Sequence, residues 1–294
     1  MSRNYQLLGL AAVAVLGVAA MQKRRVVIPS RRRVAQRLDW GAALLALAAL
    51  SDSGVEHYRG SFHNKAMYAP LAASALTLAA SARDAVAPSN TAAHSDPIDY
   101  LALVTGIVGT GFHLFNIGKR PGGFSWLNLF YAAPIGAPAS LSLAGMLRWM
   151  AGLVHGHRRP IGDIPVERTL VSLTALGLVG TAAEAALLHF RGAYQNPAMF
   201  IPVTLPPLAA ALLACASRRP GRPHPMTRGV LRALVVVGFI GAGFHAYGIG
   251  RAMGGWRNWS QNLLNGPPLP APPSFTALAL AGLSALDLIE RGGQ

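Results

Sequence analysis

The sequence predicts an all-α, polytopic membrane protein. It has about nine transmembrane helices, arranged as two tandem four-helix repeats behind one N-terminal helix. Three observations carry this. First, the 294-residue chain is 52% hydrophobic and only 13% charged, with a mean hydropathy of +0.36. That is too apolar and too weakly charged for a soluble domain of this size. Apolar runs near 20 residues recur between short polar loops, as bilayer-spanning helices require. Second, the stretch His57-Tyr58-Arg59-Gly60 with Asn64, Met67 and Pro70 is written again as His189-Phe190-Arg191-Gly192 with Asn196, Met199 and Pro202, and 189 − 57 = 132. Phe112-His113 with Gly118 and Gly122-Gly123 returns as Phe244-His245 with Gly250 and Gly254-Gly255, and 245 − 113 = 132. Two separate motifs at one offset mean a duplicated unit of over a hundred residues. Third, the basic residues cluster in every second loop, which sets orientation.

Each element follows in order. The apolar run Tyr5 to Met21 has the shape of a signal peptide. The cations Lys23, Arg24, Arg25, Arg31, Arg32, Arg33 and Arg37 come straight after it and resist translocation, so it reads as a retained helix with its N-terminus outside. Residues 1–37 are therefore a helix and a basic cytoplasmic loop. The first repeat unit is 38–155. Its helices run from about Leu38 to Arg59, Lys65 to Ala85, Ile98 to Ile117 and Ser125 to Val154. Pro134 and Pro138, with Gly136 between them, predict a broken first half for the last of these. A basic linker, 156–168, leads to the second unit, 169–294. Its helices run from about Thr169 to Phe190, Asn196 to Ser217, Gly229 to Ile249, and from the proline-rich stretch Pro267 to Pro273 as far as Ile289. Trp256 and Trp259 fit an interfacial belt.

With nine spans and the N-terminus outside, the basic loops Lys23 to Arg37, Arg148 to Arg168 and Arg218 to Arg232 fall inside, and the C-terminus is cytoplasmic. The expected location is a bacterial inner membrane. Both units start inside, so the repeat is parallel, with its pseudo-two-fold axis along the membrane normal. The net charge of +15 invites a nucleic-acid reading, but the alternating loops account for it, and no nucleic-acid partner is expected. Cys215 is the only cysteine, which excludes an internal disulfide and a multi-cysteine metal site. No P-loop, nucleophile elbow, His-Glu-x-x-His or dinucleotide fingerprint is present.

The candidate site residues are those that both halves keep. His57, His113, His189 and His245 each fall near the outer end of a helix, at one depth. Two histidines on different helices can hold a b-type haem from its two faces, with small residues where the macrocycle presses on a helix. Gly109, Gly111, Gly241 and Gly243 are placed to give that room, and Arg59 and Arg191 to meet propionates. The plainer reading is that half-wet histidines beside arginines mark the membrane–water boundary. Asp52 becomes Glu184 at the same offset (184 − 52 = 132), and an intramembrane carboxylate is a candidate for proton relay or quinone binding. Glu56 and His63 have no like counterpart, being replaced by Leu188 and Gln195. Asn64/Asn196, Met67/Met199 and Pro70/Pro202 read as shared turn and packing residues, and the paired glycines as turns.

The leading functional expectation is the membrane subunit of a redox complex. Such a subunit anchors an extracytoplasmic oxidoreductase and passes electrons to or from quinone, with haem b at the four histidines. In architecture alone this resembles the membrane anchors of quinone-linked oxidoreductases, and no motif of such a family is present. A second expectation is a transporter or channel on a parallel repeat, with Asp52 and Glu184 in the pathway. A third is a non-catalytic membrane scaffold whose outer loops bind a partner.

Overall fold

The computed structural model describes residues 29–87, 96–156, 164–219, 221–222 and 224–292. The expected helix Tyr5 to Met21, the cations Lys23, Arg24 and Arg25, and most of the loop Pro88 to Pro97 lie outside them. Among the described residues the chain is all helix, with no strand. Ten α-helices follow in order: α1 Arg31–Arg59, α2 Ala69–Val86, α3 Pro97–Gly118, α4 Trp126–Tyr131, α5 Gly136–His155, α6 Val166–Arg191, α7 Ile201–Ala216, α8 Pro225–Arg251, α9 Trp259–Asn265 and α10 Pro273–Gly292. Short 3-10 turns at Lys65–Tyr68 and Pro197–Phe200 precede α2 and α7.

Six of these helices are long and apolar enough to cross a membrane: α1, α3, α6, the Pro197–Ala216 segment that contains α7, α8 and α10. The chain is a multi-pass helical membrane protein. The break expected at Pro134 is present, because α4 stops at Tyr131 and α5 starts at Gly136. Proline lacks the N–H that would continue the helical ladder. The same break separates α9 from α10, across the prolines at 267, 268, 270, 272 and 273.

Packing follows one plan in both halves. α1 lies on α2 and α5, and α3 on α5 and α2. α6 lies on α7 and α10, and α8 on α10 and α7. α1 and α3 therefore face each other across a diagonal, as do α6 and α8. The halves join where α10 meets α1 and α5 meets α6. α10 is the most enclosed span, with 89% of its apolar window buried, against 17% for α3. The outward side chains of α3, among them Val104, Ile107, Val108, Phe112 and Phe115, are exposed and apolar, as a lipid-facing helix requires.

Small residues let the helices approach backbone to backbone. A Cβ on Gly106 would lie 2.5 Å from the Pro138 carbonyl, and one on Gly145 would lie 2.5 Å from that of Asp99. Gly238 meets Thr276 and Pro272 in the same way. Lipid tails are as apolar as leucine, so close packing rather than water exclusion holds such helices together.

The end of the bundle away from the histidines is held by buried ions. Arg148, with its side chain 4% exposed, donates to Asp99 at 2.8 Å, Asp84 at 3.0 Å and Asp96 at 3.2 Å. Arg228 donates to Asp287 and Glu290, both at 2.7 Å, and Arg37 reaches Asp287 at 2.7 Å from α1. In the first half the arginine is on the last helix and its carboxylates lie on and before the third. In the second half the signs are exchanged, with Arg228 at the position equivalent to Asp96 (228 − 96 = 132).

Gly106→Ala is expected to lower stability by about 1–3 kcal/mol, because the added methyl must push α5 away. Gly111→Ala, where a Cβ meets nothing within 4 Å, should stay within about 0.5 kcal/mol of wild type. Unfolding midpoints of the two variants in detergent, run side by side, check this.

Candidate functional site

The four repeated histidines lie at one end of the bundle, each half-buried. Their surroundings are built from the chain breaks. A break in a helix frees carbonyl groups that no lipid can hydrate. His57 donates from Nδ1 to the Met67 carbonyl at 2.7 Å, and His189 to that of Met199 at 2.8 Å. His113 donates to the Pro134 carbonyl and His245 to that of Pro268, the latter at 2.6 Å. A carbonyl only accepts, so Nδ1 carries a proton in all four rings. In the neutral ring this leaves the lone pair on Nε2, the atom that second-shell carbonyls typically prepare for metal ligation. His57 and His113 are close enough to interact electrostatically, as are His189 and His245. Each such pair lies within one half, on its diagonal helices.

The turn after His57 is strained, and so is its counterpart. Ser61 and Phe62 have φ of 57° and 45°, and Ala193 and Tyr194 have 56° and 45°. Consecutive left-handed residues with side chains are costly and persist only where their surroundings enforce them. Here the Phe62 N–H donates to the His57 carbonyl and the Tyr194 N–H to that of His189, both at 3.0 Å. Phe62 stacks on Tyr68, and Tyr194 on Phe200, each with ring centroids 4.5 Å apart. Asn64 and Asn196 accept from the N–H groups of Ala66 and Ala198, which is the helix-start capping expected of them. Met67 and Met199 pack against Gly60 and Gly192.

Other residues expected at the site are placed differently. Gly109 and Gly241 seat Pro138 and Pro272, while Gly111 and Gly243 border open space. Arg59 donates to the Leu264 carbonyl and to Glu56 at 3.2 Å. Arg191 donates to the Phe130 carbonyl at 3.0 Å and lies over the Tyr131 ring at 5.2 Å. Each arginine thus reaches out of its own half to the last turn of the other half's short helix, where cations complement the dipole.

Glu184 is set on the other half as well. It accepts from the Gly136 N–H at 2.9 Å, at the first turn of α5. A Cβ at Gly136 would overlap that carboxylate. Asp52 is one methylene shorter and makes no hydrogen bond among the described residues, but it lies near enough to Glu184 and Glu56 to feel both charges. The two repeated carboxylates thus converge where the halves meet.

Asn128 and Asn262 are site residues that the 132-residue offset does not reveal. Asn128 donates to the carbonyls of Pro121 at 3.0 Å and Gly123 at 2.7 Å, clamping the glycine turn after α3. Asn262 does the same with Met253 at 3.2 Å and Gly255 at 2.8 Å. These asparagines, like Pro134/Pro268 and Pro138/Pro272, stand 134 apart, because the second half carries two extra residues between Gly255 and Asn262. A gapped comparison of the halves would have found them.

Ala193→Gly removes a methyl from a left-handed position and should raise stability by about 1 kcal/mol. A lower unfolding midpoint would mean that the turn is not strained. Compared with known proteins, the chain matches no family model, no curated protein and no solved structure.

Proposed function

We propose that the chain is an integral membrane subunit of a redox complex. In this reading it anchors an extracytoplasmic oxidoreductase and passes electrons to or from quinone. The observation that carries the reading is the common state of the four histidines. Each ring is fixed by a backbone carbonyl on Nδ1, with Nε2 left for a ligand, and the two rings of each half lie on its diagonal helices within electrostatic reach of one another. Among the described residues no group of three or more His, Cys, Asp or Glu gathers for a metal ion. A paired-imidazole donor set would suit haem b. His57 with His113, and His189 with His245, would hold it. Bound there, it would supply one-electron transfer, and the carbonyls on Nδ1 would set ring orientation and ligand basicity. Of the residues first expected to attend a macrocycle, Gly109, Gly241 and the two arginines have other partners, so the reading rests on the histidines.

The architecture that goes with it is nine spans: two four-helix repeats related by a pseudo-two-fold axis along the membrane normal, and one N-terminal helix. Matched helix contacts, turn dihedrals and carbonyl clamps in the two halves support the duplication. The three basic loops support an inner-membrane orientation with the histidine end outside and the C-terminus in the cytoplasm. Asp52 and Glu184, near that end, would serve quinone or its protons.

The test is an absorption spectrum of the detergent-purified protein, oxidised and then reduced with dithionite. A Soret band that shifts, with sharp α and β bands on reduction, is expected, and each of His57→Ala and His189→Ala should remove the band of its own half. A featureless visible spectrum, in protein from cells with ample haem and iron, would end the haem reading.

A further inference from the structure

A line of buried polar groups crosses the first half, and the duplicated second half has lost it. The buried face of α2 consists of Ala73, Ser74, Thr77, Ala80, Ser81, Asp84 and Ala85. Ser74, Thr77 and Ser81 are each 0% exposed. The Thr77 hydroxyl donates to the Ala73 carbonyl at 2.7 Å, while among the described residues the hydroxyls of Ser74 and Ser81 have no partner; Thr174 on α6 is the one other buried hydroxyl so placed, and it stands alone. An orphaned hydroxyl in a dry interior is costly, so the two mark a path that polar matter enters.

Both ends of the line reach carboxylates and then water. Towards the histidine end lie buried Ser53 on α1 and, beside it, Asp52, with Glu184 close by. Glu56, its side chain 31% exposed, opens that end to solvent. At the other end are Asp84 and Asp39. Asp39 is 7% exposed and has no hydrogen bond among the described residues. It stands within electrostatic reach of Asp84, Asp99, Arg148 and Arg83. Asp96, with its side chain 30% exposed, carries this end to the surface. Four carboxylates outnumber the two guanidinium groups, Arg148 and Arg83, so the site favours a cation over an anion.

Spacing fits a relay. Ala49 of α1 and Ala73 of α2 share a small packed cluster, which sets the two antiparallel helices side by side. Asp39 then stands level with Asp84, and Ser53 with the start of α2. Asp39 and Asp52 are separated by about 20 Å along α1, most of a bilayer core. Successive groups on α2 are separated by rises of about 4.5–6 Å, which one hydrogen-bonded water can bridge. The wider step of about 7.5 Å from Ser53 to Ser74 takes two.

The second half keeps a carboxylate at the Asp52 position, as Glu184, and replaces the rest of the line at the 132-residue offset. Asp39 becomes Val171, Ser53 Ala185, Ser74 Pro206, Thr77 Ala209, Ser81 Leu213 and Asp84 Ala216. Close packing of α6 on α7 survives with no polar group on this line. The hydroxyls on this line are therefore not required for a helix pair of this kind to pack.

We propose that this line is a transmembrane proton path. It runs from the Asp39/Asp84 cluster through Ser81, Thr77 and Ser74 to Asp52. Each transfer breaks one O–H bond as the next group forms another, so one proton leaves for each that enters and nothing is oxidised. The proposal goes beyond the redox reading and stands apart from it: a colourless protein that conducts ends one and keeps the other.

The experiment uses the purified full chain in phosphatidylethanolamine–phosphatidylglycerol vesicles loaded with a pH-sensitive dye. A potassium gradient with valinomycin supplies the driving potential. Wild-type vesicles should acidify faster than empty ones. Asp39→Asn should slow this by about a hundredfold, the effect of losing one positioned proton carrier. Ser81→Leu, which installs the second half's residue, should block it, and Leu213→Ala should leave it unchanged. If Ser81→Leu fails to fold, the double variant Ser74→Ala with Ser81→Ala removes only two oxygens and makes the same test. Wild-type vesicles no leakier than empty ones, or blocked variants that conduct as wild type does, would overturn the proposal.

Discussion

The constraint on which the rest of the structure depends is the pairing of backbone carbonyls at the places where helices break. Each half interrupts its helices three times at the histidine end: in the turn after its first helix, in the glycine turn before its short helix, and between its short helix and its last one. An uninterrupted helix satisfies its own backbone, and a broken one cannot. The side chains that take up the freed groups are the repeated ones. Four histidines hold the carbonyls of Met67, Pro134, Met199 and Pro268. Two arginines hold those of Leu264 and Phe130, and two asparagines clamp the glycine turns. Polar residues at one depth are thus a consequence of breaking the chain at one depth.

The same clamps bear on chemistry. A histidine that donates through Nδ1 is rigid and has a defined tautomer, which are the two properties a metal ligand needs. Structural and ligand roles are not exclusive for these rings, because each uses a different nitrogen. The arginines differ. Their guanidinium groups bridge the halves through backbone carbonyls, and that bridging accounts for both Arg59 and Arg191.

The halves diverge as instructively as they agree. The histidine ends keep the same carbonyl clamps, while the other ends exchange charge signs around Arg148 and Arg228 and keep buried ion pairs in both cases. A buried pair is costly to break one partner at a time, so a change of sign needs coordinated replacement on two helices. The line of hydroxyls along α2 has no such echo. Glu184 finds the Gly136 N–H, whereas the position matching Gly136 in the second half is Pro270, which has no N–H to offer Asp52.

Much of this was legible in the sequence. Hydropathy is a local property, and a bilayer makes it decisive, so the positions of the described spans followed from composition and length alone. The 132-residue offset named the four histidines, the two arginines and the Asp52/Glu184 pair, because a motif that recurs at one spacing within a chain needs no outside comparison. Pro134 and its neighbours announced the break before α5, since a missing N–H acts on its own turn. What only the tertiary structure decided is which atom meets which. Gly109 and Gly241 proved to seat prolines, Arg59 and Arg191 to reach across the halves, and Asn128 and Asn262 to correspond through a two-residue insertion. Those pairings depend on the approach of helices distant in sequence, and a side chain's partner in a packed bundle is set by that approach rather than by its own neighbours.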